Sequence, residues 1–300
     1  MKVAVTGASG FVGRAVLSEL ARRGICAVAA SRSAHTAEST TAGHRVVSLD
    51  VHASPYDAFN RLGSPDVLVH LAWGGLPNYR SSHHIESEFP AQYRFLRGLV
   101  ESGLQSLVVA GTCAEYGMQY GPLSEDMQLR PENAYGSAKK MLLHELERLK
   151  AERPFTMTWA RLFYLTGAGQ AETSLLSQLH KAVVSGENTF NLSGGEQLRD
   201  YLNVEVAAYL LVSLALSGHD AGVVNVCSGR PISIRRLVEE MVRDNGWTIK
   251  LKLGAYPYPD YEPMAFWGNR RKLVGILGED AAKRIGELTD APRGMAHAGN

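Results

Sequence analysis

Lys2-Val3-Ala4-Val5-Thr6-Gly7-Ala8-Ser9-Gly10-Phe11-Val12-Gly13 is the stretch on which the fold turns. A short β-branched run stops at Gly7. Val12, Ala15, Val16, Leu20 and Ala21 then recur at helical spacing up to Arg23, and Gly24 ends the helix. Gly-x-x-Gly-x-x-Gly at a strand-to-helix junction permits a tight turn and lets backbone approach a pyrophosphate closely. The helix N-terminus adds unpaired N–H groups and a partial positive charge. Glycines also serve turns that merely pack helix on strand. Here the loop follows the first strand, opens an amphipathic helix and begins an α/β alternation, which favours a dinucleotide site.

Outward from this junction, strands are expected at residues 25–30, 45–49, 66–72, 105–111 and 155–163. Helices are expected from Ser54-Pro55, over 85–102 and over 134–151. Apolar strands alternating with helices describe a parallel sheet covered on both faces. Right-handed crossovers make it an α/β, doubly wound sheet of the Rossmann type. After Thr166 the alternation is lost, yet Gly222-Val223-Val224-Asn225-Val226-Cys227 reads as a buried strand that extends the same sheet. The expected organisation is a dinucleotide-binding domain over 1–166, with 200–228 returning to it. A smaller, non-contiguous α/β substrate-binding domain is built from 167–199 and 229–300. The segment from Ala291 is expected to fray.

The 300 residues are 45% hydrophobic and 20% charged, which excludes a disordered or fibrous chain. Thirty-one basic against 30 acidic residues leave a formal charge of +1, so no field of one sign exists to attract nucleic acid or an anionic membrane. Cys26, Cys113 and Cys227 are far apart; they offer neither a disulfide framework nor metal-ligand spacing, and a reducing cytoplasm is expected. No run reaches the ~18 apolar residues of a membrane span. The sequence opens directly on a strand-like segment, so no signal peptide is expected.

The second strand decides the cofactor. A site selective for NAD(H) usually places a carboxylate at its end, against the ribose hydroxyls. Here it ends Ala29-Ala30-Ser31-Arg32-Ser33. No acid is present and Arg32 suits a 2′-phosphate, so NADP(H) is favoured over NAD(H). The plainer alternative is a solvated arginine. Asp50-Val51 is placed to meet the adenine edge, although an aspartate after a strand is also a common turn residue.

Tyr135 and Lys139 share one helix face, one turn apart. An ammonium near a phenol favours the phenolate, and a phenol so tuned exchanges a proton with a substrate oxygen. Of the 12 tyrosines only Tyr135 has a lysine four positions later. Thr112 ends the fifth strand at the carboxyl edge, where α/β sheets bind ligands.

The glycine loop, His70-Leu71-Ala72, Thr112-Cys113-Ala114-Glu115-Tyr116-Gly117 and Tyr135-Gly136-Ser137-Ala138-Lys139 together resemble the extended short-chain dehydrogenase/reductase family, specifically its nucleotide-sugar epimerases, dehydratases and 4-ketoreductases. Arg161-Leu162-Phe163, Gln197-Leu198-Arg199-Asp200-Tyr201 and Asn225-Val226-Cys227-Ser228-Gly229 fit the same pattern. The resemblance implies Thr112, Tyr135 and Lys139 as the catalytic set. It implies Gly7, Ser9, Gly10, Phe11, Val12 and Gly13 on the pyrophosphate side, with Leu71, Ala72, Tyr135 and Lys139 also on the dinucleotide. Trp73, Thr112, Tyr164 and Arg199 are implied at a nucleoside-diphosphate sugar, Arg199 at its diphosphate. A homodimer through the helices carrying Gln92 and Tyr135 is implied as well.

Three departures from the family pattern matter. Cys113-Ala114 stands where dehydratases carry an Asp-Glu pair, and Glu115 is one position late. Gln92 stands near a customary asparagine, and Tyr164 replaces another. Glu262-Pro263-Met264-Ala265-Phe266-Trp267 is similar to a segment of deoxysugar ketoreductase-like members. The expected activity is NADPH-dependent reduction of a nucleoside-diphosphate 4-keto-6-deoxyhexose at C4. The alternatives are a 4-epimerase with tightly held NAD and a non-catalytic dinucleotide-binding protein. His70, His83 and His84 have no metal-ligand spacing, so no metal is expected; the adjacent pair reads as solvent-facing. Trp73 suits either the ligand cleft or simple packing. Arg270 and Arg271 suit either a diphosphate or solvent.

Overall fold

The computed structural model describes residues 1–300 except 33–42, 54, 259, 261 and 290–300. Ser33, Ser54, Pro259 and the terminal segment from Ala291 therefore lie outside the described residues.

Seven strands form the central sheet. In chain order, β1 (Val3–Thr6) leads into helix α1 (Phe11–Arg22), followed by β2 (Ala27–Ser31), β3 (Arg45–Ser48), the single turn α2 (Ala58–Arg61) and β4 (Val67–His70). A π-helical turn, His84–Glu88, runs into α3 (Phe89–Glu101) and β5 (Ser106–Thr112). A 3-10 turn (Cys113–Glu115), β6 (Gly121–Leu123), α4 (Ala134–Glu152), β7 (Thr156–Leu162) and β8 (Tyr164–Thr166) follow. Next come α5 (Leu175–Val184), β9 (Thr189–Asn191), β10 (Leu198–Asn203), α6 (Val204–Leu216) and β11 (Gly222–Val226). The chain continues through β12 (Pro231–Ser233), α7 (Ile234–Asp244), β13 (Lys250–Lys252), β14 (Phe266–Gly268), α8 (Arg271–Leu277) and α9 (Glu279–Thr289).

The main sheet has the order β11-β7-β5-β4-β1-β2-β3, parallel throughout. The order reverses between β1 and β4, which opens a crevice at the carboxyl ends of those strands. Thr6 and His70 stand side by side there. On one face α1 and α6 bury Val16, Leu17 and Leu20 against Val206, Leu210 and Leu211. On the other α3 and α4 bury Phe95, Leu96 and Leu99 with Leu142 and Leu146. Each such leucine contributes roughly 2 kcal/mol by leaving water. The apolar stretch Val204–Leu216 is thus a core helix; no described helix is long and apolar enough to cross a membrane.

Outside this sheet, β8, β10 and β12 form a second one, and β9–β13 and β6–β14 form two-stranded pairs. Leu176, Leu179 and Phe190 pack with Leu237, Val238 and Met241 in a separate core. Two expected elements differ. The helix expected from Ser54-Pro55 is only the turn Ala58–Arg61, because Gly63 turns the chain out at φ 81°. The helix expected over 85–102 starts instead as the wider π turn.

Candidate active site

Gly7 and Gly13 show why the first loop tolerates nothing larger. Gly7 has φ 71°, and a Cβ on it would lie 2.7 Å from Ala72 N; a Cβ on Gly13 would lie 2.1 Å from Gly7 O. The loop therefore packs backbone against backbone, on itself and on the Leu71-Ala72 segment. Gly10 is the N-cap of α1 and no side chain caps that terminus, which leaves its first amides available to an anion. This cradle fits a dinucleotide pyrophosphate. Arg32, expected at the adenosine end, is exposed and directly follows β2. Asp50 Oδ1 accepts from His52 N at 3.0 Å, so Asp50 shapes a turn. Val51 is buried.

At the other end stand Thr112, Tyr135 and Lys139. Thr112 closes β5 and caps the 3-10 turn, with its Oγ1 accepting from Ala114 N at 3.2 Å and its own N–H donating to Glu115 Oε1 at 2.8 Å. Asn133 caps α4 through Gly136 N at 2.8 Å, which places Tyr135 in the first helical turn. The Tyr135 hydroxyl lies near the Thr112 side chain. Lys139 Nζ donates to Ala110 O at 2.8 Å and lies 3.8 Å from the centre of the Trp73 ring and 5.9 Å from that of Tyr135. The structure thus brings all three expected catalytic side chains to one edge.

The electrostatics differ from the expectation that the ammonium simply acidifies the phenol. Burial raises the Tyr135 phenol above its ordinary value, with Tyr79 and Glu115 adding to the effect and the nearby Thr112 side chain opposing it. Burial also pulls Lys139 down to about 7, against the pull of Glu115 and Glu88. Both groups are pushed towards neutrality, because the low-dielectric surroundings penalise each charge.

A family model described as "NAD dependent epimerase/dehydratase family" matches residues 3–227. The chain belongs to the NAD dependent epimerase/dehydratase family. Its relatives include a dTDP-6-deoxy-L-talose 4-dehydrogenase (NAD(+)) of Aggregatibacter actinomycetemcomitans, 30% identical over 89% of this chain and 99% of that one. A UDP-glucose 4-epimerase of Corynebacterium glutamicum is 27% identical over 80% and 79% of the two chains. Among solved structures, MoeE5 in complex with UDP-glucuronic acid and NAD superposes with a TM-score of 0.80, at 26% identity over 96% of this chain and 97% of that one.

In this epimerase/dehydratase-family chain the residues after Thr112 carry no acid pair into the cleft. Burial pushes the Cys113 thiol up to about 12, so it stays protonated. Residues 113–115 leave the strand as a 3-10 turn, and Glu115, fully buried, is engaged elsewhere. It bonds Thr112 N, accepts from Trp159 Nε1 at 3.0 Å and pairs with Arg161 Nε at 2.7 Å. It is the turn geometry, not strand alternation, that takes Glu115 out of acid–base work.

The wall beyond Cys113 holds Tyr164, Glu262 and Arg199. Tyr164 OH donates to Glu262 Oε1 at 2.8 Å, and Arg199 Nη2 to Glu262 Oε2 at 2.9 Å. The Arg199 side chain is 3% exposed and its guanidinium stacks 4.7 Å from the Phe266 ring centre. The arginine implied at a diphosphate is therefore already matched by a carboxylate. The neighbouring Asp200 accepts from Ser228 N, Gly229 N and Gly268 N, which pins the end of β11 to β14. Arg270, at the N-cap of α8, is partly buried with its aliphatic stem against Gly229.

The histidines depart most from expectation. His84 is buried, not solvent-facing: its Nδ1 accepts from Trp73 Nε1 at 3.2 Å and its Nε2 donates to Asn78 O at 2.9 Å. Trp73, Tyr79 and His84 surround the Tyr135 ring at centroid distances of 5.8, 5.6 and 5.4 Å. His70 is buried and pulled down to about 3 by burial and by Lys139, so it is neutral. Among the described residues no group of histidine, cysteine and carboxylate side chains could hold a metal. Reading the sequence alone missed Glu88. The available signal was His84, Glu88 and Gln92 at intervals of four, a polar stripe where the helix should turn apolar residues inward.

Proposed function

We propose that the chain reduces the C4 carbonyl of a nucleoside-diphosphate 4-keto-6-deoxyhexose, with NADPH as reductant. The observation that carries this reading is the side-chain set around the Tyr135 hydroxyl. Thr112 lies beside it, Lys139 lies one helical turn on, and Cys113-Ala114 supply no acid and base for removing a hydroxyl as water. A single proton donor beside a hydride site is what carbonyl reduction needs. The name of the Aggregatibacter relative, which places its chemistry at C4 of a 6-deoxyhexose nucleotide, supports the substrate class.

When bound, the reduced nicotinamide supplies a hydride to C4. Tyr135 gives its proton to the developing alkoxide. Thr112, whose Oγ1 accepts from Ala114 N, keeps its own proton to bond the same oxygen. Lys139, anchored on Ala110 O, has further protons for the ribose and phenol side. In this reading residues 1–166 and 200–228 hold the dinucleotide, 167–199 and 229–300 receive the sugar nucleotide, and two subunits pair through α3 and α4. Trp73, Tyr164 and Arg199 line the sugar side.

The test is consumption of NADPH, followed by absorbance, with 4-keto-6-deoxyhexoses carried on thymidine, guanosine, cytidine and uridine diphosphates. Consumption with one of them is expected; none with any of the four would count against the reading. A 4-epimerase with tightly held NAD is the second reading, favoured by the Corynebacterium relative and by the NAD of the MoeE5 complex. It predicts interconversion of two sugar nucleotides without added cofactor.

Cofactor choice is tested separately. Arg32→Ala should lower the NADPH:NADH ratio of kcat/KM about tenfold, the size of one charge-assisted hydrogen bond. A wild-type preference for NADH, in line with the NAD(+) in the name of the Aggregatibacter relative, would reverse the assignment.

A further inference from the structure

Glu88 closes the π turn with its side chain 2% exposed, and polar groups from four segments converge on its carboxylate. Gln92 Nε2 donates to Oε2 at 2.9 Å and His52 Nε2 to Oε1 at 2.7 Å. His83 Nε2 lies 3.4 Å from that same Oε1, and the Gly74 backbone packs against the carboxylate. Burial alone would raise this carboxyl, but these bonds outweigh it and hold it below its ordinary range, so it is ionised. A Cβ on Gly74 would lie 2.4 Å from Oε1, so the 73–75 turn rests directly on the carboxylate.

The chain of donors continues inward. Gln92 Oε1 accepts from His70 Nε2 at 2.7 Å, and His70 Nδ1 accepts from Thr6 Oγ1 at 2.8 Å. Every donor points towards the Glu88 charge, an ordering in which each bond polarises the next. Thr6 immediately precedes the glycine loop. His70 precedes Leu71-Ala72, against which Gly7 packs. Gly74 follows Trp73, whose ring covers Lys139. His52 follows the turn at Asp50. One buried carboxylate thus ties together the backbone segments at the two ends of the dinucleotide cradle. None of its partners reaches the Tyr135 hydroxyl.

We propose that Glu88 is a positioning residue for the dinucleotide site, holding the 70–74 segment against the glycine loop and Trp73 over Lys139. The proposal rests on the dinucleotide reading above but not on any sugar substrate. The test is therefore binding of NADPH and NADH to the whole protein by calorimetry, without sugar. It is run on Glu88→Ala, Glu88→Gln and Gly74→Ala alongside the wild type.

Glu88→Ala should weaken binding of the preferred dinucleotide at least about tenfold, since it leaves the buried Gln92 amide without an acceptor and frees the 73–75 turn from the carboxylate it rests on. Glu88→Gln keeps the shape and one acceptor oxygen and should recover part of the loss. Gly74→Ala, which disturbs the contact from the other side, should weaken binding in a protein with an intact carboxylate. In the reductase assay the effect should appear in KM for the dinucleotide, with kcat at saturation changed less than about threefold. Trp73 emission, isolated by comparison with Trp73→Phe, should shift in Glu88→Ala. Wild-type affinity in folded Glu88→Gln and Gly74→Ala, or a loss in kcat with KM unmoved, overturns the proposal. A wild-type protein that binds neither dinucleotide overturns the site reading as well.

Discussion

Tyr135→Phe should reduce turnover by about 10²–10⁴-fold, the range expected when a positioned proton donor is removed, while dinucleotide binding stays within about twofold. The phenyl ring keeps the packing against Trp73, Tyr79 and His84, so only the hydroxyl is lost. Stability should fall by about 1 kcal/mol or less, because the Thr112 hydroxyl retains Ala114 N as a partner. Turnover measured with the sugar nucleotide that the wild type accepts, together with calorimetric dinucleotide binding, separates the two effects. A variant with more than a tenth of wild-type activity would remove the phenol from the mechanism.

Glu115→Ala should be the most damaging single substitution for stability. It strands the Arg161 guanidinium, only 2% exposed, at the place where its counter-charge stood. It also leaves Thr112 N and Trp159 Nε1 without their acceptor. Breaking a buried pair from one side costs about 3–5 kcal/mol. A denaturant titration should show the midpoint falling with the slope unchanged. Glu115→Gln keeps the acceptor oxygen for Thr112 N and should lose less. A Glu115→Ala loss below about 1 kcal/mol would mean that the bond Arg161 Nη1 already donates to Tyr116 OH, at 3.1 Å, is enough to hold the guanidinium. Because Thr112 is oriented through that same carboxylate, activity should fall further than the folded fraction explains.

The glycine loop and the strand–helix alternation were legible because both depend on local rules: backbone freedom at Gly7 and Gly13, and the period of apolar residues. The Tyr135–Lys139 pair was legible for the same reason, since four residues along a helix fix a shared face. What escaped depends on partners distant in the chain. Nothing local marks Glu262 as the counter-charge of Arg199, 63 positions away. Nor does local spacing reveal that Glu115 serves Trp159 and Arg161. Two adjacent histidines in a polar stretch look solvated, and only the π turn separates them, burying His84 while His83 remains 44% exposed. The shift of Tyr135 and Lys139 towards neutrality was equally hidden, because the sign of the net effect depends on how much solvent the folded chain excludes from each group.

The position of β11 bears on how the molecule is made. Leaving the ribosome, the first 166 residues can lay down the sheet from β3 to β7, but β7 then ends it with its outer row of amides and carbonyls unmatched. The strand that matches this border, and then forms the edge itself, arrives only after some fifty further residues, which travel out through β9 and β10 and back along α6. Until then the nascent chain carries a sticky rim, and the last parallel pairing, being remote in sequence, is among the slow ones to form.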